Sequence, residues 1–257
     1  LVEVYATVTD ERGRYLDNLR ANAFEILDEG SAQSIKAFEP SSAGLSCALL
    51  LDTTGSMQAA LPALKNAALR LLAELREEDA VSVYSFSDVT LERQSFTKNK
   101  RAAKRAVLPA YPHGRTALYD AVAEVAYAIA GRSGKKVIVV FTDGDDNQSS
   151  VTAEHAIRRA RLAGVPVYTI AQGAALNHPG LLKQLESIST TTGGLAFSIR
   201  EPRQIEGVFQ KVAGDLKHGY LLAYQPPEGK PGEYRKIEVR LKSTKHHRVR
   251  AREGYYQ

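Results

Sequence analysis

The chain has 257 residues, 44% hydrophobic and 25% charged, with 34 basic against 29 acidic side chains for a net charge of +5. That length supports one large domain or two small ones around a sizeable core, and charges this balanced do not by themselves imply nucleic acid. A single cysteine, Cys47, excludes an internal disulfide and any zinc-ligand spacing, and no apolar run nears the roughly 18–20 residues that span a bilayer. The first residue is Leu, so the chain reads as a fragment or processed product, with any signal or anchor lying upstream.

In chain order, Val2 to Val8 alternates with period two and predicts a strand. Phe24 to Leu27 and Ser34 to Phe38 flank Asp28-Glu29-Gly30-Ser31, which reads as a hairpin. Leu45 to Leu51 is a continuous apolar run, expected of a fully buried parallel strand, with Cys47 as a buried thiol. Met57 to Leu75 carries Leu61, Leu64, Ala68, Leu71, Leu72 and Leu75 at helical spacing. Val81 to Phe86 predicts a strand, Leu91 to Phe96 a short edge strand, Asn99 to Leu108 a basic helix and Ala117 to Ala130 a small-residue helix.

Val137 to Phe141 is the most apolar strand and is expected near the centre of the sheet. Helices over Thr152 to Ala163, Pro179 to Ser189 and Pro202 to Leu216 alternate with strands over Pro166 to Ile170 and Leu195 to Ile199. Strands follow again at Tyr220 to Tyr224, Ile237 to Leu241 and Arg248 to Arg252, after a connection punctuated by Pro226, Pro227, Gly229, Pro231 and Gly232.

The alternating middle implies an α/β fold, a doubly wound, mostly parallel and Rossmann-like sheet. Each end supplies too few strands for a stable sheet alone, whereas together they supply about six. The expected organisation is a domain over residues 44–217 inserted into a discontinuous β-sandwich made by residues 1–43 and 218–257.

Chemistry concentrates where buried strands end. Asp52-Thr53-Thr54-Gly55-Ser56 follows the first apolar strand, and ligands of open parallel sheets bind at the carboxyl ends of strands. Asp52, Thr54 and Ser56 alternate along a turning backbone, so one carboxylate and two hydroxyls can converge, with Gly55 allowing the tight turn. Thr116, in Gly114-Arg115-Thr116, offers a third hydroxyl, and Asp143 is the first carboxylate past the most apolar strand. An all-oxygen set of this kind suits a hard cation such as Mg²⁺ or Mn²⁺ and not zinc or copper.

Asp52-x-Thr54-x-Ser56, Thr116 in a Gly-x-Thr turn and Asp143 in a Thr-Asp-Gly context resemble, in order, the metal-ion-dependent adhesion site of von Willebrand factor A (VWA) domains. The resemblance covers roughly residues 44–217. The flanking strands look like those of bacterial relatives that wrap the A domain in a β domain. One departure is Thr54, where the family usually has Ser; the hydroxyl is retained. The resemblance implies a Mg²⁺ site (Mn²⁺ or Ca²⁺ as substitutes) held by Asp52, Thr54, Ser56, Thr116 and Asp143. Ser56 and Thr54 would ligate directly, Thr116 at least when ligand is engaged, and the two aspartates largely through water. It further implies a protein partner presenting an Asp or Glu carboxylate, no catalysis, and a secreted or extracytoplasmic bacterial setting.

Two other readings remain open at this stage. The Asp52 motif also looks like the phosphorylated aspartate of haloacid dehalogenase-type phosphotransferases, with Lys135 or Lys136 steadying the phosphoryl group. Thr54 in place of a second acid and the absence of a cap insertion count against it. The other is a VWA scaffold without metal. Asp145 and Asp146 read as loop-shaping residues rather than ligands, and Ser87 and Asp88 as a turn bordering the site. Asn147-Gln148-Ser149 fits a glycosylation sequon beside the site. Arg248, Arg250 and Arg252, with Lys245 and His246 nearby, read as a solvated strand face.

Overall fold

The computed structural model describes residues 1–143, 146–201, 204–242 and 247–257. Its centre is a six-stranded sheet built from β5 (Leu45–Asp52), β6 (Ala80–Phe86), β7 (Thr90–Thr97), β8 (Lys135–Thr142), β9 (Val167–Gln172) and β10 (Ala196–Ile199). The strand order is β10-β9-β8-β5-β6-β7, and every pairing is parallel except β6 with β7. Every residue of β5 and β8 is buried, because helices cover both faces.

Cys47, Leu49 and Leu51 point to one face, where they pack with Val139 and Phe141. That face is closed by α1 (Leu61–Glu74), α2 (Lys100–Val107) and α6 (Gln204–His218). Ala48 and Leu50 point to the other, closed by α3 (Leu118–Ala130), α4 (Ala153–Leu162) and α5 (Pro179–Thr192). The expected start of the last helix, Pro202, lies outside the described residues. After β5 the chain steps to β6 on one side and later to β8 on the other. The switch point therefore falls between the carboxyl ends of β5 and β8, at Asp52 and Thr142.

The terminal segments form two antiparallel four-stranded sheets. One has the order β13-β1-β11-β4, from β1 (Val2–Asp10), β4 (Ile35–Glu39), β11 (Tyr220–Tyr224) and β13 (His247–Ala251). The other has the order β14-β12-β2-β3, from β2 (Phe24–Asp28), β3 (Ser31–Gln33), β12 (Tyr234–Leu241) and β14 (Gly254–Tyr256). Val4, Val8, Tyr220 and Leu222 of the first meet Phe24, Ile26, Ile237 and Val239 of the second in one shared core. Each sheet mixes strands from both ends, so neither terminus completes a sheet alone.

Two expectations are corrected here. The hairpin is shorter than Ser34 to Phe38 suggested: β2 returns through Glu29 (φ 48°) and Gly30 (φ 79°) into the three-residue β3. The chain then changes sheets, and β4 pairs with β11, because Ile35 and Phe38 pack into the core from the opposite side. The expected solvated arginine face is also wrong beyond Arg248. Arg252 is buried and donates to the Arg161 carbonyl at 2.9 Å, and Arg250 pairs with Asp215 of α6. The face is covered by the central domain. Lys245 and His246 lie outside the described residues.

Lys135, at the start of β8, donates to the carbonyls of Ser41 (2.8 Å) and Gly219 (3.3 Å), just before β5 and just after α6. Arg76 likewise donates to Ser41 O (3.1 Å) and Lys217 O (2.8 Å). Two cations thus fasten together the points where the chain enters and leaves the central domain.

Candidate functional site

Asp52 ends β5 and is fully buried. One carboxylate oxygen accepts from the Thr54 N–H (2.9 Å) and hydroxyl (2.7 Å), and the other from the Thr142 hydroxyl at 2.6 Å. The Thr54 and Ser56 hydroxyls lie 3.0 Å apart, and Ser56 donates to Asp143 at 2.9 Å. Four of the five expected residues therefore form one continuous chain of polar contacts, running from Asp52 through two hydroxyls to Asp143.

Thr116, the fifth, is also buried. Its loop is held against the first by backbone bonds from Gly55 N to Gly114 O (3.1 Å) and from His113 N to Thr53 O (2.8 Å). From the other side, Asn147 N donates to Thr116 O (3.0 Å), while the Asn147 side-chain oxygen accepts from Thr116 N (3.1 Å). All three predicted loops thus meet at the switch point.

The neighbours explain how the loops keep their shape. Gly114 has φ +71° and sits against Ser87 and Asp88, whose carboxylate accepts from Arg115 N at 3.0 Å. Ser87 contacts the His113 ring at 3.1 Å. Ser87 and Asp88 form the bordering turn expected of them. Asp146 accepts from Tyr119 N at the start of α3 (3.0 Å) and from Ser149, the loop-shaping role expected for it. Gly144 and Asp145 lie outside the described residues. Gly173, at φ +64°, brings the β9 loop against the Asp143 side chain.

Sequence reasoning missed Thr142 and Asn147 as supports of the site. Thr142 carries a usable signal, a hydroxyl at the last position of an otherwise apolar strand. Asn147 has none, because its role depends on a backbone amide in another loop.

Burial pushes the Asp52 carboxyl up to about 6; hydrogen bonds from Thr142 and Thr54 oppose this, and the charge of Asp143 adds to it. Among the described residues no three His, Cys, Asp or Glu side chains cluster as metal ligands. A cation here would have to be held by hydroxyl oxygens together with two carboxylates. The Lys135 and Lys136 of the phosphotransferase reading lie at the other end of the sheet. Lys135 is level with Leu45 in register, roughly 23 Å from Asp52 at about 3.3 Å per strand residue.

The family model for the von Willebrand factor type A domain matches residues 47–211. No curated protein matches the chain. Among solved structures, von Willebrand factor type A from Catenulispora acidiphila aligns with a TM-score of 0.60 at 14% identity, over 90% of this chain and 73% of its own. The conserved hypothetical protein BatB from Bacteroides thetaiotaomicron aligns at 0.57 and 18% identity, over 68% of this chain and 100% of its own. The vWF domain of the type V pili tip protein Mfa5 from Porphyromonas gingivalis aligns at 0.58 and 12% identity, over 74% of this chain and 99% of its own. With the matched segment carrying all three loops of the site, the chain belongs to the von Willebrand factor type A domain family.

Proposed function

We propose that the chain binds a divalent cation, Mg²⁺ first and Mn²⁺ or Ca²⁺ as substitutes, at Asp52, Thr54, Ser56, Thr116 and Asp143, and grips a partner protein through it. The observation that carries this reading is the run of polar contacts from Asp52 to Asp143 through two hydroxyls at the sheet's switch point. The donor set fits a hard, oxygen-loving ion. Asp52 has both oxygens engaged by Thr54 and Thr142, which suits a carboxylate acting from behind the hydroxyls. Few direct carboxylates would leave a bound ion electrophilic and ready to take an Asp or Glu side chain of a partner.

The role is binding, without catalysis. The phosphotransferase alternative loses its lysines to the far end of β8, where Lys136 pairs with Glu3 and Lys135 holds Ser41 and Gly219. A pilus tip protein and the PilB minor pilin from Streptococcus sanguinis share the fold, which supports adhesion and a setting outside the cytoplasm. Among the described residues no helix is long and apolar enough to cross a membrane.

Calorimetric titration with Mg²⁺ and Mn²⁺ tests the site. One-site binding by the native chain, lost in Ser56→Ala and Asp143→Ala, is the expected result. Absence of heat and of thermal stabilisation in the native chain would leave the metal-free scaffold as the correct reading.

A further inference from the structure

At the opposite end of the molecule from Asp52, a cleft of about 280 Å³ opens between the terminal strands and the end of α4. Its polar walls are Glu3, Lys136, Arg161 and Arg252, and Tyr255 and Tyr256 add aromatic surface. Glu3 and Lys136 pair at 2.8 Å and cancel. The two arginines meet weaker compensation: Arg161 lies over the Tyr234 ring at 4.9 Å, and Glu3 bears on Arg252 only from within its pair with Lys136.

Arg252 is only 6% exposed and Arg161 8%. Arg252 donates to the Arg161 carbonyl, and Arg161 donates to the Thr191 carbonyl (3.0 Å) and to the Tyr234 hydroxyl (3.3 Å). These acceptors are neutral. Among the described residues neither guanidinium has a carboxylate within salt-bridge distance. The Arg252 Nε–H is buried and meets no acceptor there. Burial, opposed by Tyr224, Glu3 and Tyr255 and aided by like-charge repulsion from Arg161, draws the Arg252 guanidinium down to about 10.

Two desolvated guanidinium groups lining one cleft, whose one carboxylate, Glu3, is already paired with Lys136, are costly, and an oxyanion in the cleft would relieve both at once. We propose that this cleft is an anion-binding site for a small oxyanion or carboxylate, with Arg161 and Arg252 supplying the charge. Glu3, held by Lys136, sets the acidic edge of the cleft and leaves its net charge positive. The proposal is independent of the metal reading, since it shares no residue with the Asp52 site.

The test compares the native chain with Arg252→Gln by thermal unfolding in sodium phosphate, sodium succinate and sodium chloride at equal ionic strength. Phosphate or succinate is expected to stabilise the native chain beyond chloride, with apparent affinity about tenfold weaker or less in Arg252→Gln. The anion with the larger excess of the native response over that of Arg252→Gln identifies the class, tetrahedral oxyanion or carboxylate. Equal responses of the two chains would mean a general salt effect and would overturn the site. Crystals of the native chain soaked in sodium selenate give a readout that needs no variant. An anomalous selenium peak between Arg161 and Arg252 is expected, and a cleft without one refutes the proposal.

Discussion

Asp215, in the last turn of α6, is paired with Arg250 of β13, and the carboxylate also accepts from the hydroxyls of Tyr15 and Tyr168. Four segments distant in sequence meet on one buried carboxylate. Removing it strands the Arg250 charge in a mostly buried setting. Asp215→Ala is expected to lower unfolding stability by about 3 kcal/mol, read from the urea midpoint. A double variant that also carries Arg250→Met should recover part of that loss; strict additivity would show that the pair is not coupled.

Asp52→Ala leaves the Thr142 hydroxyl and both Thr54 donors without their acceptor. The variant should fold, lose about 1–3 kcal/mol, and show no Mg²⁺-dependent rise in Tm. Full metal-linked stabilisation in Asp52→Ala would mean the ion sits elsewhere.

Gly114 is required by its backbone. At φ +71° an added methyl group would lie 2.0 Å from an Asp88 oxygen, and Asp88 cannot swing away without releasing Arg115 N. Gly114→Ala is expected to cost about 2 kcal/mol and to weaken Mg²⁺ binding by displacing Thr116. Gly131→Ala is the control: its φ is −73° and its surroundings are open, so stability should change by less than about 1 kcal/mol. Equal losses from the two would remove the special role assigned to Gly114.

Lys135 gives the molecule an alkaline signature. Burial, with the Arg76 charge adding to it, brings its ammonium down from 10.5 to about 8. Between those values the unfolded chain binds more protons than the folded one, so this group's contribution to stability rises with pH across the window. Relative to Lys135→Met, the native chain should gain up to about 3 kcal/mol from pH 8 to pH 10.5 in urea unfolding. A pH-independent difference would show that Lys135 titrates normally.

The sequence made the central domain readable because β5 and β8 are covered on both faces and must be apolar throughout. The three site loops were readable because polar residues cluster where those apolar runs stop. The change of sheets after β3 was not readable. Ser31 to Glu39 is one stretch in which only Ile35 and Phe38 mark the core, and nothing local says which sheet hydrogen-bonds it. Arg250 and Arg252 were misread for a related reason. Alternation puts residues on a common face but does not say what lies over it, and here helix ends of the central domain do. Lys135 reads as polar punctuation before a strand, and its burial follows from two carbonyls 94 and 84 residues away in sequence.

The interleaving of the outer strands has a consequence for biogenesis. Val2 to Ala6 pairs with Tyr220 to Tyr224, and Phe24 to Asp28, beyond its short hairpin with Ser31 to Gln33, pairs with Ile237 to Leu241. On the ribosome, β1 and the β12-facing edge of β2 emerge long before these distant partners exist. The six-stranded unit pairs strands nearer in sequence, Leu45 with Lys135 at the widest against Val2 with Tyr224 and Phe24 with Leu241, and can close first, bringing its two ends together. Until β11 and β12 are synthesised, β1 and β2 present bare edges, and that interval is when a holding chaperone would matter most.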